Sequence, residues 1–400
     1  MKILVLNCGS SSVKYQLIDT DQANALARGL VDRIGQEDAV LSHRRSDGGE
    51  VKIVAEIIDH IAAIRYVLSI LTSKNHGVMR DIAEIDAIGH RVVHGGEYFA
   101  ASVRIDDDVL AKIRSCIELA PLHNPHNLRG ILACREILSG VPQVAVFDTA
   151  FHQTMPERAY LYGLPYVLYK RYGIRRYGFH GTSHAFVAQR AAVLCGRPLS
   201  ELRIITCHLG NGCSITAIDR GKSIDTSMGF TPLEGLVMGT RSGDLDPSII
   251  LYLMGKEELS LAEATAMLNK HSGLLGVSGV SSDMREILSA MAESPRAAAA
   301  VDIFAYRLRK YIGSYYAVLG GLEALVFTGG IGENSPLIRE RVATAMEHFG
   351  LQLDRARNEA SRGESDISQS HSPAKILVIP TNEELVIALD TQRIVASLGV

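Results

Sequence analysis

The chain lacks the long apolar run that a membrane span requires, and Asn7 interrupts its first apolar run, residues 3–6, far short of a signal peptide. It also lacks an excess of charge of either sign, because 41 basic and 44 acidic residues leave a net charge of −3 with the 14 histidines neutral. No overall field therefore attracts nucleic acid or an anionic membrane. We expect a cytoplasmic protein with no nucleic-acid or membrane partner, in which any anionic ligand meets locally grouped cations.

Cysteine is also sparse, and the common nucleotide signatures are missing. The six cysteines form no Cys-x-x-Cys pair and no dense framework, which is typical of reduced thiols in the cytoplasm. Gly-Lys-Ser occurs at 221–223, but the Walker pattern requires glycine where Thr216 stands. No Gly-x-Gly-x-x-Gly is present either. A bound nucleotide would therefore need a different scaffold.

Residues 3–19 are the most informative stretch of the sequence. An apolar run, a polar turn with Gly9 and three serines, and a second run ending at Asp19 predict a strand, a tight loop and a returning strand. The loop offers backbone N–H groups, hydroxyls and Lys14 but no side-chain carboxylate, as a phosphate site does. An ordinary hairpin turn has the same residue types, so that alternative stays open.

A repeat of this pattern strengthens the phosphate interpretation. Residues 204–219 match the first hairpin after a one-residue shortening of the loop. A second pair follows in the same order, because residues 146–149 and 326–329 are both apolar strands that run into small polar turns. The two pairs indicate an ancient duplication, with two similar halves that each offer a hairpin loop to a ligand between them.

Strands and helices alternate along the rest of the chain. Apolar spacing and turn residues predict strand and loop over 20–55, a helix over 57–71, a strand over 86–93, a helix over 109–119, a strand over 141–147, a helix over 301–319, a helix from Ser335 that ends at Gly350, a surface excursion over 355–373, a strand over 376–379 and a last helix to about Leu398. With 47% hydrophobic residues and no low-complexity linker, this order predicts two closely packed α/β domains with a mixed sheet in each.

Two histidines four residues apart, His180 and His184, have the spacing of zinc ligands on a helix. Gly181 and an N-cap at Thr182 or Ser183 would place His180 before the helix, so that one helical face cannot carry both rings. We therefore expect His180 to donate a hydrogen bond from a loop, with a purely structural role as the alternative.

Three charged residues have open interpretations. Arg91 and Arg241 lie in glycine-rich surroundings where a planar guanidinium could hold an anion at two points, although most arginines form surface ion pairs. Glu384 completes the pattern Thr381-x-x-Glu384, which is typical of a capping box. The same carboxylate could equally face a metal ion.

Taken together, six segments resemble the acetate kinase family in sequence and in order, essentially from end to end. These segments are residues 7–14, 89–96, 145–152, 177–184, 239–244 and 327–334. The resemblance implies the duplicated ribonuclease-H-like fold of actin, the heat-shock ATPases and the sugar kinases, with mixed sheets flanked by helices and an ATP cleft between the domains. It further implies a homodimer, an N-terminal domain of residues 1–150 plus 385–400, and a C-terminal domain of residues 151–384 that carries the adenosine site.

The resemblance implies the Mg²⁺-dependent reaction ATP + acetate ⇌ ADP + acetyl phosphate, with Mn²⁺ as an alternative metal. A carboxylate acceptor is already ionised near pH 7, so the transfer needs cations, donors and alignment rather than a general base. Two alternatives are a propionate or butyrate kinase of the same family and a non-catalytic ATP-dependent switch. The arginines and His180 argue against the switch, which needs no acceptor site.

The resemblance also assigns roles residue by residue. Arg91 and Arg241 hold the acetate carboxylate and the equatorial oxygens, and His180 donates to the transferring phosphoryl group. Asp148 orients the metal or the substrates, a role that family practice describes as proton transfer. The remaining assignments are Asn7 and Glu384 for the metal; Lys14, His208, Leu209, Gly210, Asn211 and Gly212 for the phosphates; Asp283, Met284, Arg285, Gly330, Ile331, Gly332, Glu333, Asn334 and Ser335 for adenosine; and Val93, Leu122, Phe179 and Pro232 for the acetate methyl group.

Overall fold

The computed structural model describes residues 1–397, in which the chain forms two compact units. The first unit contains residues 1–153 together with the chain from Asn382 onward, and the second contains residues 154–381. The predicted end of the last helix at Leu398 lies outside the described residues. Among the described residues, no helix is both long enough and apolar enough to cross a membrane.

The strands belong to two sheets, one in each unit. In chain order they are β1 (Lys2–Cys8), β2 (Ser12–Asp19), β3 (Asn24–Asp32), β4 (Ala39–Arg45), β5 (Glu50–Ala55), β6 (Ala87–Val92), β7 (Val103–Arg104), β8 (Gln143–Phe147), β9 (Arg203–Leu209), β10 (Cys213–Asp219), β11 (Lys222–Thr226), β12 (Ala324–Thr328), β13 (Ser365–Asp366) and β14 (Lys375–Val378).

The helices flank these sheets. In chain order they are α1 (His60–Leu71), α2 (Asp107–Ser115), α3 (Asn124–Ile137), α4 (Glu157–Tyr160), α5 (Tyr166–Tyr172), α6 (Gly181–Cys195), α7 (Pro247–Lys256), α8 (Leu261–Lys270), α9 (Gly273–Ser278), α10 (Met284–Ala290), α11 (Pro295–Leu319), α12 (Gly329–Asn334), α13 (Pro336–Ala343), α14 (Arg355–Ala360) and α15 (Glu383–Ala396).

The two sheets repeat one topology. The sheet of the first unit has eight strands in the order β5-β4-β3-β2-β1-β6-β8-β7, and that of the second has six in the order β11-β10-β9-β12-β14-β13. In each, an antiparallel hairpin is followed by two strands parallel to its first strand. The matched hairpins even share their register, since Lys2 pairs with Asp19 and Arg203 with Asp219. The predicted duplicated α/β fold is confirmed.

The second sequence match behind the duplication is wrong. Residues 146–149 end β8, which is separated from β1 by β6, whereas residues 326–329 end β12, which lies directly beside β9. By position in the sheet, β12 corresponds to β6, and β14 corresponds to β8. An apolar run that ends in a small polar turn is common to many buried strands, so this resemblance does not identify equivalent ones.

Alternating side chains on β1 cover both faces of the first sheet. Leu4 and Leu6 belong to a core that α1 and α3 complete, while Ile3 and Val5 pack in a second core with Ile387 and other residues of α15. This alternation follows from the two-residue period of a strand. As a result, α15 lies on the sheet face that also carries Asn7.

Most of the predicted elements are present, with shifted ends that the caps explain. The helix predicted from residue 57 begins at His60, because the Asp59 side chain accepts a hydrogen bond from the backbone N–H of Ala62 at 2.8 Å. The helix from Ser335 stops at Ala343, where Thr344 is extended. Gly350 instead ends a separate short 3₁₀ turn with φ of +79°. Its predicted role as the end of the longer helix is wrong.

Residues 355–373 lie largely at the surface, as their composition predicts, but they contain regular structure. They form α14 and β13, and β13 joins the second sheet by pairing with β14. Their polar side chains are used in these structures, since Asp354 caps α14 and Asn358 is buried. A charged, serine-rich composition therefore reflects both exposure and capping here.

Candidate functional site

In the first unit, Arg91 and Asp148 form a two-point ion pair beyond the ends of neighbouring parallel strands. Arg91 lies on β6, and Asp148 follows β8, whose register with β6 places the two side chains at the same edge. Arg91 donates from Nε to Oδ1 at 2.9 Å and from Nη2 to Oδ2 at 2.7 Å. Asp148 is buried. The carboxyl ends of such strands are where open α/β sheets place ligand groups, as the sequence predicts for Asp148.

Sequence reasoning missed Glu383, which the first turn of α15 brings to this ion pair. Its Oε2 atom lies 4.0 Å from Nε of Arg91. Burial lowers the pKa of Arg91, but the charges of Asp148, Glu383 and Glu384 outweigh burial and hold that pKa above its usual value. Burial also raises the pKa of Glu383, although Arg91 and Lys14 oppose the rise. Its position next to Glu384 at a helix start is the signal that could have found it.

Asn7 and Lys14 occupy one face of the first hairpin. They are directly paired across β1 and β2, so their side chains project from the same side of the sheet. That side is the one that α15 covers further along β1, where Val5 packs against it. The predicted metal ligand and the predicted phosphate ligand of the loop are therefore neighbours, and Lys14 is exposed.

The capping-box interpretation of Glu384 is wrong. Asn382 caps α15 by accepting a hydrogen bond from the backbone N–H of Leu385 at 3.1 Å. Thr381 instead donates its backbone N–H to Oε1 of Glu333 at 3.2 Å. No donor among residues 1–397 is hydrogen-bonded to the Glu384 carboxylate, so its oxygens are not committed to the helix start.

The donors that the sequence assigns to a metal fit Mg²⁺ by their chemistry. An amide oxygen from Asn7 and a carboxylate from Glu384 are hard oxygen ligands, and Mg²⁺ keeps several waters while using one or two carboxylates and substrate phosphates. Within the described part of the chain, no group of three His, Cys, Asp or Glu residues could hold a metal ion alone. The residues therefore suit an ion that is bound jointly with phosphates.

The predicted methyl-pocket residues differ in burial. Val93 follows β6 and is buried, with its backbone N–H donating to Oδ1 of Asn127 at 3.0 Å. Leu122 in the same unit is 64% exposed. In the second unit, Phe179 is buried directly before His180, and Pro232 is half-buried.

In the second unit, α6 begins at Gly181, which is earlier than the sequence predicts. His180 is itself the N-cap residue, in a left-handed conformation with φ of +57°. Its Nδ1 lies 2.9 Å from Oγ of Ser214, and Nε2 of His184 lies 2.7 Å from the same oxygen. Both rings therefore reach one hydroxyl, although His180 precedes the helix as predicted and the N-cap is His180 instead of Thr182 or Ser183.

His208 also joins this group. Its ring stacks on that of His180 with centroids 4.2 Å apart, and its Nδ1 lies 2.8 Å from Oγ of Ser183. His208 and Ser214 are paired across β9 and β10, so they share the sheet face on which α6 packs. The structure thus unites two predicted site histidines in the second unit.

The side chains of Arg241 and His180 both lie close to Gly212. A Cβ atom added to Gly212 would lie 3.3 Å from Nη1 of Arg241, 3.4 Å from Cε1 of His180 and 3.6 Å from its Nε2. Arg241 donates from Nη1 to the carbonyl oxygen of Pro232 at 3.1 Å. Among the described residues no carboxylate pairs with it, and burial lowers its pKa, which the Cys213 thiol only partly offsets. A guanidinium, a ring nitrogen and the half-buried backbone of Gly212 thus meet at one point.

The second hairpin loop continues towards the predicted adenosine segment. Asn211 accepts the backbone N–H of Gly239 at its carbonyl oxygen at 2.9 Å. An added Cβ at Gly239 would collide with the Asn211 side chain and would lie 3.1 Å from the carbonyl oxygen of Ser282. Glycine is therefore needed at 239. The predicted phosphate residues Leu209 and Gly210 lie at the end of β9 and in the turn, where Gly210 donates its N–H to the carbonyl of Gly212 at 3.1 Å.

The predicted adenosine residues form two helix starts. Asp283 caps α10, which begins at the buried Met284, and Arg285 is exposed and paired with Asp283 at 2.6 Å. The second group forms α12 and the cap of α13; it comprises Gly330, Ile331, Gly332, Glu333, Asn334 and Ser335. Arg339, which sequence reasoning missed, is fully buried and donates to the carbonyl oxygens of Gly332 at 2.8 Å and Glu333 at 2.9 Å.

A further group that sequence reasoning missed, centred on Arg176, supports the segment that carries Pro232 and Arg241. Arg176 donates to Oε1 of Glu234 at 2.6 Å and to the carbonyl oxygens of Thr226 and Ser227 at 2.9 and 3.0 Å. Asp225 lies 4.0 Å from the Arg176 guanidinium, and burial raises the pKa of this carboxyl despite that charge. Arg176 directly precedes the 177–184 motif, which is the signal that could have found it.

Comparison with known proteins identifies the family. The model of the acetokinase family matches residues 2–389. The chain is 57% identical to the acetate kinase of Thermoanaerobacterium thermosaccharolyticum over the full length of both. Its structure is similar to the crystal structure of acetate kinase from Porphyromonas gingivalis, with a TM-score of 0.96 and 49% identity over 98% of this chain and 99% of that one. A propionate kinase from Francisella tularensis follows, with a TM-score of 0.91 and 46% identity over the same shares. The chain belongs to the acetokinase family.

Proposed function

We propose that the protein transfers the γ-phosphoryl group of ATP reversibly to acetate, giving acetyl phosphate and ADP by direct in-line transfer with Mg²⁺. The observation that carries the proposal is Arg241, a partly buried guanidinium without a carboxylate partner in the described chain, placed with His180 around Gly212. Such a cation is stabilised when an anion binds beside it. High identity to proteins named acetate kinase selects the reaction among phosphoryl transfers.

Arg91 has a different part in this proposal. Its fork is occupied by Asp148, so it can offer an acceptor carboxylate only its remaining donor positions or a rearranged pair. The same two bonds engage both oxygens of Asp148, which favours a positioning role over proton transfer. An ionised acetate needs no base, so nothing in the reaction requires Asp148 to take a proton.

His180 and the second hairpin loop would act on the phosphoryl group. The ring nitrogen of His180 lies beside Gly212 of that loop, where a donor can stabilise charge on the equatorial oxygens. Lys14 in the first hairpin would balance the charge of the phosphates. Asn7 and Glu384 would hold Mg²⁺, which supplies charge neutralisation on the phosphate oxygens when bound.

The reaction can be tested by trapping acetyl phosphate as its hydroxamate with purified protein, ATP, Mg²⁺ and acetate. We expect product in proportion to protein, and none after heat inactivation or with EDTA. A set of donor nucleotides and Mn²⁺ in place of Mg²⁺ defines the breadth of both preferences. Absence of product above the heated control would end the proposal, and ATP binding without transfer to any short acid would revive the non-catalytic switch.

A propionate kinase is the second candidate, because a protein of that name shares 46% identity and the same fold over nearly the whole chain. Val93 favours acetate, since its buried branched side chain would leave less room for a longer acid in the proposed methyl pocket. The preference is graded, because one methylene in an apolar pocket is worth about 1–3 kcal/mol. Values of kcat/KM for acetate, propionate and butyrate decide between the two, and a higher value for propionate would reject acetate as the preferred acceptor.

We also propose that the protein is a homodimer in the cytoplasm, as the family resemblance implies. Apolar side chains on one helix of the second unit support a self-association surface: Leu251 and Tyr252 on α7 are 74% and 66% exposed. Sedimentation equilibrium of the purified protein tests this point, and a monomer at micromolar concentration would reject it.

A further inference from the structure

A strip of buried polar side chains lies beneath the first turn of α6. Oγ1 of Thr206 is 2.7 Å from Nδ1 of His184, and Nε2 of His184 is 2.7 Å from Oγ of Ser214. Ser214 in turn is 2.9 Å from Nδ1 of His180. Thr206, His184 and Ser214 are all 0% exposed. Burying such groups costs free energy unless every one is satisfied, so apolar side chains would serve packing alone better.

The direction of these hydrogen bonds follows from the first member. Thr206 has His184 as its one side-chain hydrogen-bond partner among residues 1–397, so its buried hydroxyl satisfies its proton by donating to Nδ1 of His184. A neutral His184 then carries its own proton on Nε2 and donates to Ser214. Ser214 then donates its hydroxyl hydrogen bond to Nδ1 of His180, which accepts it. The proton of His180 therefore resides on Nε2.

We propose that Thr206, His184 and Ser214 are positioning residues that fix His180 as the neutral Nε2–H tautomer, aimed at the space beside Gly212 and Arg241. Nε2 and Cε1 of His180 are the ring atoms nearest to a Cβ built on Gly212. The proposal rests on the proposed function for the identity of the group that accepts this hydrogen bond. All three residues are fully buried behind His180, so they are proposed to act through it.

The tautomer matters because the transferring group is an anion. An Nε2–H donates to a phosphoryl oxygen, whereas the other neutral tautomer presents a lone pair to it and repels it. Stacking on His208, which Ser183 holds, fixes the plane of the ring. The hydrogen-bonded series Thr206, His184 and Ser214, which we call the relay, fixes which ring nitrogen of His180 carries the proton.

The tautomer can be measured directly in the free protein. Two-bond ¹⁵N–¹H correlation spectra of protein labelled in histidine distinguish protonated from unprotonated ring nitrogens, and a His180→Gln variant identifies the His180 signals. We expect the proton of His180 on Nε2 near neutral pH. A proton on Nδ1 would overturn the proposal. This reading needs no substrate, so it remains decisive even if the wild type forms no acetyl phosphate and the proposed function fails.

Isosteric variants test the relay through activity. Thr206→Val removes the first hydroxyl while keeping the shape, and Thr216→Val is its matched control. Thr216 is equally buried, faces Thr206 across β9 and β10, and bonds to Oγ1 of Thr226 at 2.8 Å outside the relay. We expect Thr206→Val to mix the His180 tautomers and to lower kcat about 10- to 100-fold with little change in KM, the range for residues that orient a functional group. The control should keep both within about twofold.

Ser214→Ala removes the relay at its centre and should match or exceed the loss of Thr206→Val. Ser214→Thr keeps a hydroxyl and should recover part of kcat. If Ser214→Ala does not fold, the proposal is still tested by the wild-type tautomer and by comparing Thr206→Val with its control Thr216→Val. An unchanged tautomer and an unchanged kcat in Thr206→Val would overturn the proposal, as would an equal loss in Thr216→Val.

Discussion

Arg91 in the first unit and Arg241 in the second both lie in glycine-rich segments of the sequence, but their electrostatic surroundings are opposite. Arg91 is held by both oxygens of Asp148, and the nearby carboxylates raise its pKa. Burial lowers the pKa of Arg241, which in the described chain has a carbonyl oxygen and a thioether as its polar neighbours. One cation is already neutralised, and the other is stabilised only when a ligand brings negative charge.

The difference does not reflect a shortage of acids in the second unit. Glu234 and Asp225 gather around Arg176, which supports the segment that carries Arg241. The carboxylates are thus used to hold the scaffold and kept away from the guanidinium at the candidate site. An arginine that meets an anion in catalysis needs this separation, because a built-in carboxylate competes with the substrate.

The largest expected effect comes from Arg241→Ala. Turnover should fall about 10³-fold, the scale of an arginine that stabilises charge in phosphoryl transfer, while the free energy of unfolding stays the same or rises because a desolvated charge is lost. Hydroxamate assays and urea unfolding measure the two quantities. Arg190→Ala, which breaks an exposed ion pair with Glu364 in the same unit, is the control. A loss of turnover under tenfold would remove Arg241 from the transition state.

Arg91→Ala should lower turnover by a similar factor but should also destabilise the protein. It leaves Asp148 buried without its partner, and breaking a buried ion pair in this way costs about 3–5 kcal/mol. A double-mutant cycle with Asp148→Ala should show strong coupling in the free energy of unfolding. Equal stability of the Arg91→Ala and Arg241→Ala variants would contradict the contrast between the two arginines.

Val93→Ala tests whether a residue of the first unit determines which acid is the preferred acceptor. The added space should raise kcat/KM for propionate relative to acetate by about 10- to 100-fold, as expected for one methylene in an apolar pocket. Val193→Ala, at an exposed valine of the second unit, should leave the ratio unchanged. If the ratio does not move, the acceptor pocket does not include Val93.

The smallest effect concerns the carboxylates around Arg176. Because burial raises the folded-state pKa of Asp225, its contribution to stability is present below its unfolded value near 4 and is lost as pH rises through the raised pKa. Asp225→Asn should therefore gain stability relative to the wild type as pH rises, measured by urea unfolding across pH 4–8.

Glu323→Gln is a control, because the pKa of Glu323 is shifted in the opposite direction to that of Asp225. A hydrogen bond from Arg203 lowers the pKa of Glu323, so the wild type gains stability as pH rises from that lowered pKa to the unfolded value of about 4.3. The variant should lose stability relative to the wild type over this acidic range, measured by urea unfolding across about pH 2–5. The same trend in both variants would show that the shifts do not arise from these local surroundings.

Local patterns predict the hairpins and the strand that ends before Asp148, because these depend on short-range turn and strand chemistry. They do not predict that Arg91 is already occupied. Its partner is 57 residues away and is set by the register of β6 and β8. They also misplace the start of α6, since preferences for Ser and Thr at an N-cap pointed beyond His180, which adopts a left-handed conformation that sequence preferences disfavour.

The chain order of the first unit has a consequence for biosynthesis. The sheet face with Ile3 and Val5 is covered by α15, which leaves the ribosome only after the whole second unit has been made. At 5–20 residues per second this interval lasts roughly 10–50 s. During that time the nascent first unit presents an apolar sheet face, which is a binding surface for chaperones and a risk of aggregation. Glu384 arrives with the same helix, so the metal site proposed for it can form only after the second unit has been made.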